Sequence, residues 1–363
     1  MRMMLGIAIA LMFAMVAGAT SAYAAAGAVY AESNSAAANA VYVFNRSENG
    51  SLLSIRPGGF PTGGVGTGGG LENQGALAID DANRHLFAIN AGSNTISVFR
   101  ILENGLSLVE VDPSNGKRPI SLTVKRNILY VVNNGGSVSD VDSIAGFAVS
   151  ETGHLTPLIS GLRLSGTSVG PTQVSFNPDG NILIVTERLT NNIDVFTVDQ
   201  NGLASGPNVF PSAARGPFGF AFGKRGQVFV SELAGSASSY SVSWAGSLQK
   251  ISGPITNGQS ATCWLVLSAD NRYAWVTNTG SGNASSYTIA FDGTLHLLNA
   301  VAADMGSGSH PIDIAISNDA RYIYILTTGS NSIRGYSLAT DGSLTPLGTV
   351  LGIPFSATGL IAR

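Results

Sequence analysis

The stretch that decides the fold runs from Gln173 to Leu203: QVSFNPDG (173–180), NILIVTE (181–187), RLTN (188–191), NIDVFTV (192–198), DQNGL (199–203). It holds an apolar run, a polar turn, a second apolar run ending in Glu, a third run carrying an aromatic, and an N-G turn. Each run is too short for a helix and is closed by Asn, Asp or Gly, the residues that tight turns favour. The same unit recurs seven times, and Phe44, Phe99, Phe147, Phe196, Tyr240, Tyr287 and Tyr336 mark its third strand, 44 to 55 residues apart. A period of that length built only of short strands specifies an all-β, seven-bladed β-propeller with one four-stranded sheet per blade.

The copies are out of phase with the chain ends. The first copy supplies GAVYAE, AVYVFN and SLLSI but lacks an innermost strand. The chain finishes in SATGLIAR, which reads like the innermost strands elsewhere, GALAID and PIDIAIS. The segment from about Ala357 to Ala362 is therefore expected to complete the first blade, which closes the ring and removes two free sheet edges. In this arrangement the turns between strands two and three and the blade-to-blade crossovers share one face, here called the top. The NPDG, SADN and SNDA turns at Asn177, Ser268 and Ser317 lie below.

Composition agrees with a packed ring. Hydrophobic residues make up 44% of the 363, charged residues 11%, and Gly numbers 45, which suits tight turns rather than disorder. The net charge of -3 offers no basic field for nucleic acid. Residues 1–24 read as a signal peptide, with Arg2, an apolar run from Leu5 to Val16, and Ala22-Tyr23-Ala24 as the cleavage site. A mature chain of 25–363, secreted or periplasmic, free of the membrane and monomeric, is the expectation. Cys263 is the single cysteine, so no internal disulfide forms.

The ends of the second strands form one column around the top: Glu32, Asn90, Asn133, Glu187, Glu232, Asn278 and Thr328. Carboxylates there suit a general base with a raised pKa. Together with the Asn carbonyls they also suit Ca²⁺, although a seven-bladed channel spreads them widely, and no metal or cofactor is expected. Side chains of this kind also cap backbone groups of the next turn. Glu232 and Glu187 are the catalytic candidates. Arg188, Arg215 and His310, on top-face loops, are substrate-binding candidates beside Asn278. The segment from Pro57 to Leu71, PGGFPTGGVGTGGGL, reads either as a flexible linker or as a lid over the mouth. Gly166-Thr167-Ser168-Val169-Gly170 matches G-x-S-x-G, but Pro171 and a strand follow where that motif needs a helix.

FNPDGNILIV, the closing DGSLTPLGTV and the seven copies resemble the lactonase family of seven-bladed propellers, which includes bacterial 6-phosphogluconolactonase and the fungal carboxymuconate-lactonising enzyme. The resemblance covers about Gly27 to Arg363. It implies formation or opening of a lactone ring without a metal, by His, Arg and Glu at the channel mouth. Glu232 keeps the family's residue type, and Glu187 stands where relatives often have Asp. Thr172, Phe218-Gly219 and Thr279 occupy positions of the family's His, Arg-His and Arg, which adds Thr172 to the substrate-binding set. Two classes follow: a lactonase-like enzyme acting on a small lactone, or a non-catalytic ligand- or protein-binding propeller.

Overall fold

A computed structural model describes residues 25–363; the expected signal peptide, residues 1–24, lies outside the described residues. No helix among them is long and apolar enough to cross a membrane. The strands form seven antiparallel sheets arranged as a β-propeller. Blade 4 typifies them, with strands Pro171–Phe176, Ile182–Glu187, Asn192–Val198 and Ala204–Pro211 ordered from the inside outwards.

Second strands are covered on both faces by neighbouring blades, and Ile182–Glu187, Gln227–Glu232 and Tyr322–Thr327 are buried at every position. That explains their continuous apolar runs in place of alternation. Outer strands such as Leu344–Leu351 are mostly exposed. The seven third-strand aromatics are all buried, each contributing to the packing between blades.

Closure follows the sequence expectation. Thr358–Ala362 pairs antiparallel with Gly27–Glu32 in the register Val29↔Ala362, Tyr30↔Ile361, Ala31↔Leu360 and Glu32↔Thr358. Leu360 joins a core cluster with Ala315, Tyr324 and Leu326 of blade 7 and Val29 and Phe44 of blade 1. Buried Arg46 adds an ion pair to Asp319 across the same joint, at 3.1 Å.

Two readings need correction. The seventh member of the strand-end column is Thr327, not Thr328. Thr327 pairs with Ser332 as Glu187 pairs with Asn192, whereas Thr328 already belongs to a 3-10 turn. A doubled Thr made the strand end ambiguous by one residue. The Gly-rich segment is also no free linker. Phe60–Pro61 pairs with the third strand of blade 1. Beyond it, Asn34 holds the segment through Thr67 N to Oδ1 (2.9 Å) and Nδ2 to Gly69 O (2.5 Å), and Gly92 N donates to Val65 O (3.0 Å).

Candidate functional site

In five of the seven blades the second strand ends beneath the crossover arriving from the preceding blade, and its last side chain fastens that crossover. Thr62 Oγ1 donates to Asn90 Oδ1 (2.6 Å), and Asn133 Nδ2 donates to Ser114 O (3.2 Å). Ser165 N donates to Glu187 Oε1 (3.1 Å), Ser212 Oγ to Glu232 Oε1 (3.4 Å), and Asn257 Nδ2 to Asn278 Oδ1 (3.0 Å). The recurring polar column is thus one structural joint used five times, satisfying loop groups that would otherwise be buried without partners. Asn278 is saturated: its Oδ1 also accepts from Thr262 Oγ1, and its Nδ2 donates to Asn283 Oδ1 and Ser285 Oγ.

Glu187 and Glu232 sit in adjacent blades, fully buried, each engaged in its own joint. Burial raises the Glu232 pKa, opposed by the hydroxyls of Ser236, Ser238 and Ser212. Glu187 accepts from Ser165 N, Ser165 Oγ and Thr190 Oγ1. Beside it lies Asp194, a buried carboxyl that sequence reading passed over; it shares Ser165 N at 2.9 Å. Burial, then the neighbouring Glu187 charge, pushes Asp194 up to about 8. Glu32 accepts from Asn39 Nδ2 at 2.6 Å, and burial raises its pKa well above the usual carboxylate range.

The mouth itself is built by a segment outside the repeat. Asn73 and Gln74, just before the inner strand of blade 2, reach across the channel. Trp264 Nε1 of blade 6 donates to Asn73 O (2.7 Å), and Gln74 exchanges bonds with both Leu265 O (3.0 Å) and Leu265 N (3.1 Å). Asn73 Nδ2 donates to Ile120 O of blade 3, and Thr358 Oγ1 of blade 1 donates to Asn73 Oδ1. Gln74 N donates to Thr172 O of blade 4. Phe218 packs edge-on against Trp264 at 4.9 Å. This plug floors the top of the channel, and the space above it between the crossovers is here called the cup.

Glu72, the residue before the plug, is exposed. Both it and Arg188 act electrostatically on Cys263, a buried thiol at the head of the blade 6 inner strand that burial pushes up to about 12. Thr279, after the last residue of the blade 6 second strand, donates its Oγ1 to Pro311 O (2.9 Å). Glu72 was legible in one respect: it is the single charged residue between Pro57 and Leu77. Arg215 and His310 are exposed on the crossovers into blades 5 and 7. Thr172 is buried, and its hydroxyl links Thr186 Oγ1 (2.9 Å) to Phe218 O (3.1 Å), stitching blade 4 to blade 5. Among the described residues no group of three or more His, Cys, Asp or Glu could hold a metal ion. The three column glutamates are held in three separate joints.

With seven blades and a plugged mouth in view, the chain belongs to the family described as lactonase, seven-bladed β-propeller, whose model matches residues 119–206 and 227–357, more than half of the chain. Comparison with curated proteins gives no match. Among solved structures, the periplasmic gluconolactonase of Pseudomonas aeruginosa is similar at 18% identity and TM-score 0.71, over 92% of this chain and 98% of that one. A candidate 6-phosphogluconolactonase of Bacteroides fragilis is similar at 18% identity and TM-score 0.72, over 92% and 97%. A protein of Lactobacillus plantarum is similar at 16% identity and TM-score 0.72, over 92% and 98%. At these identities the likeness is one of fold.

Proposed function

We propose that this propeller hydrolyses a small lactone in the cup at the top of its channel, outside the cytoplasm. The observation that carries the reading is the plug that Asn73 and Gln74 form with Trp264 and Leu265 across the channel, with exposed Glu72 adjoining it in sequence. Family membership, the likeness to the periplasmic gluconolactonase of P. aeruginosa and the signal-peptide pattern of residues 1–24 support it. In the proposed mechanism Glu72 takes a proton from water, and the hydroxide attacks the lactone carbonyl. The Arg188 guanidinium stabilises the oxyanion. The intermediate then collapses with cleavage of the ring C–O bond, and the leaving alkoxide takes the proton back from Glu72. Arg215 and His310 bind polar groups of the substrate at the rim. Glu187 and Glu232 hold the crossovers that border the cup and so position Arg215 and the start of the blade 4 inner strand.

The test is a panel of five- and six-membered lactones followed by acid release, with wild type, Glu72→Gln, Arg188→Ala, Glu232→Gln and Glu187→Gln. Loss of about 10²–10⁴-fold in kcat for Glu72→Gln is expected. Full turnover in Glu72→Gln with loss in Glu232→Gln would return the base to the column glutamate. Absence of turnover on every lactone favours the second reading, a non-catalytic binding propeller, which the engagement of both column glutamates and the neutral Thr172, Gly219 and Thr279 support.

A further inference from the structure

Opposite the cup, the bottom face carries a groove of about 610 Å³ between blades 4, 5 and 6. It is walled by the turns Asn177–Asn181, Gly223–Gly226 and Leu267–Asn271 and by Ser243-Trp244. That volume is within the range of small-ligand sites. The floor is preformed. Asn177 Oδ1 accepts from Asn181 N (3.0 Å) and Ile182 N (2.9 Å). Buried Asn271 accepts from Lys224 N (3.3 Å) and donates to Gln227 Oε1 (2.9 Å).

The repeat provides an internal control for Trp244. Six blades join their third and fourth strands by the same turn, closed by a Gly N–H donating to the carbonyl three residues back, at Gly50, Gly153, Gly202, Gly246, Gly293 and Gly342. The second residue of these turns is Glu48, Glu151, Gln200, Trp244, Phe291 and Thr340. Turn geometry therefore asks for no aromatic. Phe291 has a local use: Arg225 stacks on it at 4.0 Å. Trp244 has none. It is 83% exposed and its indole N–H donates to nothing among the described residues, whereas Trp264 and Trp275 are buried and donate to Asn73 O and Gly342 O.

We infer that the groove binds the pyranose ring of a carbohydrate, stacked on Trp244. A pyranose offers a face of C–H groups to the electron-rich indole face and a rim of hydroxyls. The groove matches both. Ile182, Phe222 and Leu267 supply apolar floor, while among the described residues the Asp179 carboxylate, the Asn181 amide and the Lys224 ammonium have no side-chain partners other than the Asn177–Asn181 bond. A wholly apolar ligand leaves those polar groups unpaired, and a strong polyanion meets Asp179.

The test uses the intrinsic fluorescence of the full chain. Trp244 is the one exposed tryptophan of three, so iodide quenches it selectively. Gluco-, galacto-, manno- and N-acetylgluco-configured trisaccharides are titrated in turn. At least one is expected to lower the iodide quenching constant by about twofold and to shift emission to the blue. Trp244→Ala, followed by calorimetry, weakens that saccharide by about tenfold or more. Trp244→Phe keeps a stacking face and retains part of the affinity, and matched melting curves show that both variants fold. Lys224→Ala weakens binding to a smaller extent. Absence of any change in quenching or heat with all four sugars overturns the proposal. So does a dimer that Trp244→Ala dissociates while sugars have no effect, which assigns the face to a second copy of the chain. Lactone turnover in the top cup is read independently of either result.

Discussion

Replacing Asp194 by Asn isolates the chemistry of one strongly perturbed joint. Asp194 and Glu187 both accept from Ser165 N, and neither is exposed. Asp194 is held up at about 8, first by burial and then by Glu187. In the unfolded chain its pKa is about 3.9. Its folded pKa is raised, so between these values the folded state holds a proton that the unfolded state has released. Stability from this group is whole below about pH 4, falls as pH rises, and levels off above about pH 8. The slope is about 1.4 kcal/mol per pH unit, and the full span is about 6 kcal/mol at most, an upper bound that local relaxation and water lower. Asn keeps an oxygen for Ser165 N and offers N–H to Glu187 as the protonated acid does, yet cannot ionise. The variant should therefore gain on wild type by about 1.4 kcal/mol per unit from pH 5 to 8, or about 2 °C per unit for a chain of this size. Melting curves at pH 5, 6, 7, 8 and 9 check this. Parallel profiles for the two proteins would refute the raised pKa of Asp194.

Two further outcomes test the ring. Deleting Thr358–Arg363 removes Leu360 from its core cluster and uncovers the edge of Gly27–Glu32, so the truncated chain should melt well below the full one and associate through the freed edge; equal melting and a monomeric profile by size-exclusion chromatography would disprove the closure. Phe196→Ala empties a fully buried aromatic site between blades and should cost about 3–5 kcal/mol, about 4–7 °C in Tm, whereas Leu53→Ala, on an exposed outer strand, should stay within about 0.5 kcal/mol.

The sequence by itself determined the propeller, the number of blades and the place where the ends meet. Those follow from backbone pairing and from apolar period, and both repeat often enough along the chain to be read without coordinates. It also located the strand-end column, since a polar residue after each fully apolar run is visible as such. Only the tertiary structure decided what that column does. Whether Glu187 meets water or Ser165 depends on a crossover from another blade, packed within hydrogen-bond distance by the ring as a whole. The cup was hidden for a related reason. Glu72, Asn73 and Gln74 belong to the one connection that departs from the repeat, so periodicity carries no information about them, and their partners Trp264 and Leu265 lie 191 residues away across the channel. Periodic contacts are written along the chain; a contact across the axis of a closed ring is fixed only once the ring has closed.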